Sequence, residues 1–254
     1  MDDVLANLSM PELAGWYNRL ADQTAKHKWG GTEHLAWKCL RLWLENRTPY
    51  CTITIDAPAA LRKSPPVSQA LMYHRRVYLT QEKARVGESR QWAGIIPRLQ
   101  GKQGHAKRTR LSGIHMEYES LVDIPITSKI FGPAEDKDLL YALHGLQLKT
   151  EVTLSCSMIA NSHLVQVAFV SFQAKMKNRY EWNPDKQITV PNPDFKSRSA
   201  GAVSPSSRMV TILNRHAKRL EEAGLAAPFY LESETWYLEP MLCSNAQVDL
   251  AKEI

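Results

Sequence analysis

Apolar and polar residues alternate without interruption from Leu146 to Met158. One set of alternate positions reads Leu, Leu, Thr, Val, Leu, Cys, Met, and the set between them reads Gln, Lys, Glu, Thr, Ser, Ser. Because side chains of a strand point alternately to its two faces, this pattern predicts a long strand with one buried and one exposed face. A second apolar run, Leu164 to Met176, follows a polar turn at residues 160–163 and completes a predicted β-hairpin.

The N-terminal part of the chain has the spacing of helices instead. A helix predicted at residues 9–27 begins with Ser9 and Glu12, which have the spacing of a capping box. A second helix, at residues 32–46, carries apolar side chains almost all round, which indicates deep packing. Further elements predicted here are a strand at 50–56 and a helix at 64–85.

The C-terminal part is predicted to be mostly strands. The expected elements are a loop or loose hairpin at 87–113, a strand at 114–122, a helix at 136–145, loops at 178–207, a helix at 206–223, a strand at 229–238 and a peripheral tail after residue 240. Strands that follow one another without a helix between each pair favour an antiparallel sheet. The predicted class is α+β, with N-terminal helices packed on a mainly antiparallel sheet that has a long central β-hairpin.

A chain of 254 residues is long enough for one large core. The prediction is one compact domain over residues 1–254. A division into a helical half, residues 1–90, and a β-rich half, residues 114–240, is the alternative.

The excess positive charge of this protein lies in one segment. The net charge is +6, from 32 basic and 26 acidic residues. Between Glu88 and Glu117 there is no acidic residue, and removal of the six basic residues found there would leave the rest of the chain neutral. These six are Arg90, Arg98, Lys102, Lys107, Arg108 and Arg110.

Within this segment, residues 98–110 are the main candidate for a binding site. Glycines allow the backbone to approach a ligand closely, and guanidinium and ammonium groups pair with phosphates. Trp92 is a candidate for stacking on a base. The predicted anion-binding residues are Arg98, Lys102, Lys107, Arg108 and Arg110. A solvated surface loop with no partner is the alternative.

The predicted helix at 206–223 carries a second group of basic residues. Together with the strand after it, this helix is similar to the second half of a winged helix, whose recognition helix contacts DNA. Its candidate contacts are Arg208, Arg215, Lys218 and Arg219. An ordinary packing helix with an exposed basic face is the alternative, because the residues before it are rich in proline rather than helical.

Catalytic motifs are absent from the sequence, which has no Gly-x-Ser-x-Gly, no phosphate-binding glycine loop and no His-Glu-x-x-His. A nuclease that uses acidic residues on a hairpin could be built from Glu151 with Gln173, Ala174 and Lys175, although an exposed sheet face explains the same residues. No cofactor is predicted. No metal site is expected from the histidines, which include His34, His74, His115, His144 and His163 and lack ligand spacing.

The four cysteines, Cys39, Cys51, Cys156 and Cys243, lie far apart and are predicted to be reduced thiols. No apolar run is long enough to span a membrane, and the acidic N-terminus does not have the layout of a secretory signal. These features predict a cytoplasmic protein. Export without a cleaved signal peptide is compatible with them.

Four further segments stand out: the helix at 36–47, Tyr141-Ala142-Leu143-His144-Gly145, Tyr180-Glu181-Trp182-Asn183 and residues 192–195. Together they resemble an uncharacterised proteobacterial family whose genes often lie among type VI secretion components. After Phe195 the family has a Gly-Gly-Asp-Phe-like ending, and this chain has AGAVSPSSRMV instead. The resemblance implies a role in interbacterial competition and identifies no catalytic residue.

Three function hypotheses follow. The first is an accessory or effector-type protein of a type VI-like secretion system that binds an anionic partner, such as an acidic protein surface, through the basic loop. The second is a nucleic-acid-binding protein of a phage or plasmid, in which the 98–110 loop and the 206–219 helix form one positive surface. An enzyme with a site that no motif reveals is the third.

Overall fold

The computed structural model describes residues 5–26, 35–56, 59–79, 99, 110–124, 134–143, 145–159, 162, 164–194, 209–238 and 246–249. Its helices are α1 (Met10–Lys26), α2 (Leu35–Glu45), α3 (Ala59–Lys63), α4 (Pro65–Leu79), α5 (Ala134–Leu143) and α6 (Arg215–Glu222). Its strands are β1 (Cys51–Ile55), β2 (Arg110–Asp123), β3 (Gly145–Met158), β4 (Leu164–Tyr180), β5 (Gln187–Pro191), β6 (Met209–Leu213), β7 (Phe229–Ser233), β8 (Trp236–Tyr237) and β9 (Ala246–Asp249).

The predicted α+β class is confirmed, with the helices mainly N-terminal and a large, mostly antiparallel sheet. In the larger sheet the strand order is β1-β7-β4-β3-β2, and β8 and β9 also pair with β4. The pair β1 and β7 is parallel, whereas β4 is antiparallel to β7, β8 and β9. Strands β5 and β6 form a separate antiparallel pair. The predicted hairpin is thus β3 and β4, in the middle of the strand order.

Two compact units can be distinguished in the chain. Unit 1 comprises Met1–Ser64, Asp123–Leu146 and Lys177–Ser233. Unit 2 comprises Pro65–Val122, Gln147–Met176 and Glu234–Ile254. Each unit is assembled from three separate segments of sequence, and the prediction of a single compact domain stays a prediction.

The core of unit 1 is built on aromatic side chains from α1, α2 and the segment after β4. The ring centroids of Tyr17 and Trp43 lie 5.4 Å apart, and Trp182 lies 5.7 Å from Tyr17 and 5.5 Å from Trp43. Edge-to-face contacts of this kind add stability beyond the burial of area. At the start of α1 one half of the predicted capping box is present, since the backbone N–H of Ser9 donates to Glu12 Oε2 at 2.9 Å. The Ser9 hydroxyl donates to the same oxygen at 2.6 Å.

The first turn of α2 is capped by an acidic residue from a distant part of the sequence. The two carboxylate oxygens of Asp138, in α5, accept hydrogen bonds from the backbone N–H groups of Leu35 and Ala36, each at 2.8 Å. Asp138 is only 1% exposed. Burial, together with this carboxylate, raises the pKa of the Cys39 thiol well above its usual value. The carboxylate therefore satisfies two N–H groups that a helix cannot satisfy itself.

The core of unit 2 lies under the inward face of the hairpin. The apolar positions of β3 are buried as predicted except Met158, which is half-buried. Three of them, Val152, Leu154 and Cys156, pack with residues of β4, α4 and β9. Buried members of this core include Tyr78, Val152, Leu154, Cys156, Val165, Val167, Phe172 and Val248. The alternation of thirteen residues therefore determined correctly which face of β3 is buried.

A histidine lies inside unit 2 with both ring nitrogens hydrogen-bonded. His74 Nδ1 is 2.8 Å from Thr150 Oγ1, and Nε2 is 2.7 Å from Ser120 Oγ. The hydroxyl of Tyr78 is also 2.8 Å from Thr150 Oγ1. Because His74 is fully buried, desolvation lowers its pKa from 6.5 to about 4. The imidazole is therefore neutral at pH 7.

The prediction of a long helix at 206–223 is wrong. Residues Met209–Leu213 form β6, which pairs with β5, and the helix α6 begins only at Arg215. The sequence MVTIL has β-branched residues at its centre, and Thr211 makes a hydroxyl contact of 2.9 Å with Thr189 across the pair. Apolar residues at 210, 213, 217 and 220 have helical spacing, but only the last two lie in a helix.

Other boundaries also differ from the sequence predictions. The segment predicted as loops contains β5, residues 110–113 belong to β2, and the predicted strand 229–238 consists of β7 and β8. The tail predicted to be peripheral contains β9, which pairs with β4 from Leu164 to Val167. Strands of two to five residues leave too little alternation to identify them locally, so only their pairing partners define them.

The end of α6 depends on the conformation of a glycine. Gly224 has φ of +68°, and its N–H donates to the carbonyl of Glu221 at 3.0 Å. The N–H of Leu225 donates to the carbonyl of Leu220 at 2.9 Å. These two bonds form a Schellman motif, which satisfies carbonyls that the helix leaves open.

Gly224→Ala is expected to lower the free energy of unfolding by roughly 1 to 2 kcal/mol, because an L-residue is strained at this φ. An added Cβ would meet no atom within 4 Å, so the cost is conformational. Gly15→Ala, inside α1, is the matched control and is expected to stabilise by roughly 0.5 to 1 kcal/mol. Urea denaturation of the two variants shows whether the free energy of unfolding falls in Gly224→Ala and rises in Gly15→Ala. Equal changes in the two variants would contradict this account of the helix end.

Candidate binding surfaces

The structure describes four of the predicted site residues. Arg98, Lys102, Lys107, Arg108, Arg208 and the stacking candidate Trp92 lie outside the described residues. Of the others, Arg110 opens β2 in unit 2, and Arg215, Lys218 and Arg219 lie on α6 in unit 1. The proposal that these residues bind an anion stays a prediction.

Partners within the chain are defined for Arg110, Lys218 and Arg219, and Arg215 also takes part in an interaction. The guanidinium of Arg219 donates to the backbone carbonyls of Leu5 at 3.3 Å, Ala6 at 3.4 Å and Leu8 at 2.9 Å. Lys218 Nζ lies 2.7 Å from Glu221, and Arg110 Nε donates to Ser155 Oγ at 2.9 Å. Arg219 therefore holds the segment before α1 in place. The residues before α6 form β6, which does not fit a helix-turn-helix.

Unit 1 carries a tyrosine–arginine cluster, formed by Tyr50, Arg179 and Tyr230. The guanidinium carbon of Arg179 lies 4.9 Å from the ring centroid of Tyr50, and the two tyrosine rings are 6.1 Å apart. Tyr50 is 44% and Tyr230 43% exposed, and Arg179 is exposed as well. A cation over an aromatic ring holds both groups in one geometry without burying them.

Strand pairing explains why these residues meet. In the sheet, Tyr230 of β7 is the partner of Thr52 in β1 and of Arg179 in β4. Residues paired across strands point to the same face. The neighbours of Tyr230 along β7, Phe229 and Leu231, are fully buried on the opposite face. The cluster therefore lies on the outward face of three adjacent strands.

Tyr50 has an uncommon backbone conformation. Its φ is +58°, the left-handed region that residues with a Cβ rarely adopt. Its N–H donates to the carbonyl of Pro228 at 2.7 Å, and Cys51 begins β1 immediately afterwards. Strain of roughly 1 to 3 kcal/mol at such a position persists only where the surroundings fix it. The turn thus fixes the tyrosine next to Tyr230.

The charges around this cluster are balanced. Arg179 Nη2 lies 2.7 Å from Glu181 Oε2, and Lys177 Nζ lies 3.4 Å from Glu232 Oε1. A hydrogen bond with Tyr50 and the charge of Glu181 raise the pKa of Arg179. Together with the Lys218–Glu221 pair, the described charges here cancel. The surface therefore combines aromatic rings with paired charges and is not a strongly positive track.

Unit 2 has an exposed polar cluster on β2 and β3, formed by His115, Glu117, Lys149 and Glu151. Ligand atoms of the histidine and the two glutamates lie within 4.8 Å of one another, a distance that would suit a metal ion. Lys149 Nζ, however, lies 2.8 Å from Glu117 and 2.9 Å from Glu151. The carboxylates raise the pKa of Lys149 to about 12. Its ammonium therefore balances one of the two carboxylate charges and occupies the space between them, and the nuclease hypothesis would require Glu151 to release it.

A cleft of about 410 Å³ lies beside α1 in unit 1. Its lining includes Trp16, Arg19 and Asp194. The two charged groups are paired with each other, since Arg19 Nη2 lies 3.0 Å from Asp194 Oδ1. The size suits a small ligand, but the paired charges do not indicate a ligand class.

Comparison with protein-family models, with curated proteins and with solved structures finds no match for this chain. The family resemblance therefore stays a prediction. In the part of the chain that the structure describes, helices long and apolar enough to cross a membrane are not found.

Analysis of the sequence missed the tyrosine–arginine cluster. Tyr230 stands between two apolar residues in FYLES, a position where strand alternation expects an exposed side chain. That signal could have identified Tyr230 as exposed, but Tyr50 and Arg179 become its neighbours only through strand pairing.

Proposed function

We propose that this protein acts by binding a partner protein through the outward sheet face of unit 1, with the tyrosine–arginine cluster as the anchor. The observation that carries the proposal is that two exposed tyrosine rings are held next to each other by Arg179 and by the fixed backbone of Tyr50. Tyrosine and arginine are among the residues that contribute most to protein–protein affinity. Pre-organised rings lose little conformational freedom when a partner covers them.

The charge balance of the face supports a protein partner. Exposed ion pairs contribute little stability and no net field, so they favour a specific contact over long-range attraction of a polyanion. In this proposal the protein is an accessory or effector-type component of a contact-dependent secretion system. The basic segment between Glu88 and Glu117 supplies a second contact, to an acidic surface of the partner.

A nucleic acid is the second candidate partner. Exposed tyrosine rings accept stacked bases, and the whole excess charge of the chain lies in one segment. Binding to nucleic acid by this route would weaken steeply with salt, because phosphate contacts release counterions.

The double variant Tyr50→Ala/Tyr230→Ala tests the role of the cluster. It is expected to weaken partner binding roughly 30-fold or more, the effect of losing at least one interface residue worth about 2 kcal/mol. Tyr237→Ala is the matched control, because Tyr237 is 75% exposed and lies in unit 2. A benzoylphenylalanine crosslinker placed at position 50 or 237 in cells identifies the partner. Crosslinking to the same protein from both positions, or from neither, contradicts the proposal.

Fluorescence anisotropy separates the two partner classes. Short single- and double-stranded DNA and RNA are titrated at about 50 mM and about 200 mM salt. Lys107→Ala/Arg108→Ala/Arg110→Ala tests the basic segment in the same assay. Micromolar binding that falls steeply with salt and is lost in both variants would make nucleic acid the partner. Absence of binding at low salt supports a protein partner.

A further inference from the structure

Strand β1 lies at one end of the strand order and is paired on one side by β7. Among the residues that the structure describes, none pairs with its other edge. A strand at the edge of a sheet presents unpaired N–H and carbonyl groups, which form a template for another strand. Natural proteins protect such edges with lysine, proline, bulges or very short strands.

The sequence of β1, CTITI, contains none of the protecting residues. It has no charge and no proline, and its three central residues are β-branched, which favours extended structure. Its side chains alternate between half-buried Cys51, Ile53 and Ile55 and exposed Thr52 and Thr54. Such an edge favours pairing with another strand over exposure to solvent.

We propose that the edge of β1 pairs with β1 of a second copy of this chain, antiparallel and centred on Ile53. In this register each residue of one copy faces a residue of the second copy. Ile53 faces the Ile53 of the second copy, Thr52 faces its Thr54, and Cys51 faces its Ile55. The register places apolar residues beside apolar residues on one face and threonines beside threonines on the other. Threonine pairs across an antiparallel ladder are favourable.

The self-complementarity of CTITI is the reason to choose a second copy as the occupant. A closed two-fold interface requires one patch to match itself, and the alternation of β1 does so about its central residue. A charged peptide would find no complementary charge within the strand itself. The nearest charges at its register, Glu232 and Lys177, already form a pair.

Pairing of this kind has a consequence for the outward face. The two-fold axis of an antiparallel strand pair is perpendicular to the sheet, so both copies present the same face to the same side. The two tyrosine–arginine clusters would then lie on one continuous surface. A partner with two matching sites would bind with higher avidity than one cluster allows.

The mass in solution tests the proposal. Light scattering coupled to size exclusion is expected to give twice the 28.8 kDa of one chain at high concentration, with a shift toward one chain on dilution. Reversible dissociation is expected because five paired residues a side form an interface smaller than stable dimers have. A mass of one chain at every concentration overturns the proposal.

Charge-swap variants test the register. Thr52→Lys/Thr54→Lys places like charges opposite each other and is expected to give single chains, as is Thr52→Glu/Thr54→Glu. Mixing the two variants is expected to restore the doubled mass. Gln166→Lys, on the exposed side of β4, is the control and is expected to keep the doubled mass of the unaltered protein. A doubled mass that persists in either variant alone, or failure of the mixture to restore it, overturns the register.

Thermal unfolding of each variant ensures that loss of pairing is not loss of folding. The glutamate variant adds a carboxylate beside Glu232, the partner of Thr54 in β7, so its melting curve is compared with that of the lysine variant. In the proposed register residue 50 lies opposite residue 56 of the second copy, so a crosslink from position 50 that gives twice the mass of one chain is assigned to self-pairing, and only a crosslink to a different protein is assigned to partner binding. Failure of this proposal therefore leaves the proposed partner-binding function intact, and the reverse also holds.

Discussion

Replacement of Asp138 by alanine is expected to lower the free energy of unfolding by roughly 2 to 4 kcal/mol. The carboxylate accepts hydrogen bonds from the backbone N–H groups of Leu35 and Ala36 at 2.8 Å, in a position that water does not reach. A buried donor that loses its acceptor costs about 1 to 3 kcal/mol, and two donors lose theirs here. A negative charge at the start of a helix also interacts favourably with the helix dipole.

Urea denaturation followed by circular dichroism measures this loss. Asp22→Ala is the matched control, because Asp22 is exposed on α1 and is paired with Arg41. Its loss is expected to stay below about 1 kcal/mol, as for most exposed ion pairs. Asp138→Asn keeps one acceptor oxygen. Its loss of unfolding free energy is expected to lie between those of Asp138→Ala and Asp22→Ala. If Asp138→Ala were no more destabilising than Asp22→Ala, the capping role would be refuted.

The hairpin was predictable because its information is local. Thirteen alternating residues determine both the strand and its buried face, and the structure confirms β3 and β4 with Leu148, Val152 and Leu154 buried. The capping box of α1 was predictable for the same reason, since Ser9 and Glu12 are three residues apart. Contacts between residues close in sequence leave a pattern that can be read directly.

The cap of α2 could not be found in this way. Asp138 lies 103 residues from Leu35, and its place in the first turn of the helix predicted at 136–145 suggested only that it serves that helix. The tyrosine–arginine cluster could not be found for the same reason, since Tyr50, Arg179 and Tyr230 come from three distant parts of the chain. Only the pairing order of the sheet brings them together.

Charge counting also has a physical limit. Lys218 and Arg219 were predicted to face an external anion because each carries a positive charge on a helix. The structure shows that one pairs with Glu221 and the other donates to backbone carbonyls near the N-terminus. A sequence shows where charges lie but does not show which internal acceptors compete for them.

Acidification from pH 6.5 to pH 4 is expected to cost the folded state about 3 kcal/mol through His74. In the folded protein, burial lowers the pKa of this histidine to about 4. In the unfolded chain it returns to about 6.5. Between these values the unfolded state binds a proton that the folded state does not, so stability falls as the pH falls. Well above pH 6.5 the histidine is neutral in both states, and the stability no longer changes with pH through this residue.

A variant that cannot titrate isolates this effect from the carboxylates. His74→Gln retains hydrogen-bonding groups for Thr150 and Ser120, although it is expected to be less stable than the unaltered protein at pH 7 because its shape differs. The difference in unfolding free energy between the two proteins is expected to shrink by about 3 kcal/mol from pH 7 to pH 4. Glu117, whose pKa the Lys149 ammonium lowers, titrates in both proteins and cancels.

Two measurements check this prediction. Urea denaturation at several pH values gives the difference between the two proteins, and His115→Gln is the control because His115 is exposed. Nuclear magnetic resonance of the His74 ring gives its pKa directly and is expected to show no titration until the pH approaches 4. Parallel stability curves for the unaltered protein and His74→Gln would show that the histidine is not held neutral. A titration midpoint near 6.5 would show the same, because burial of the imidazole would then not disfavour its charged form.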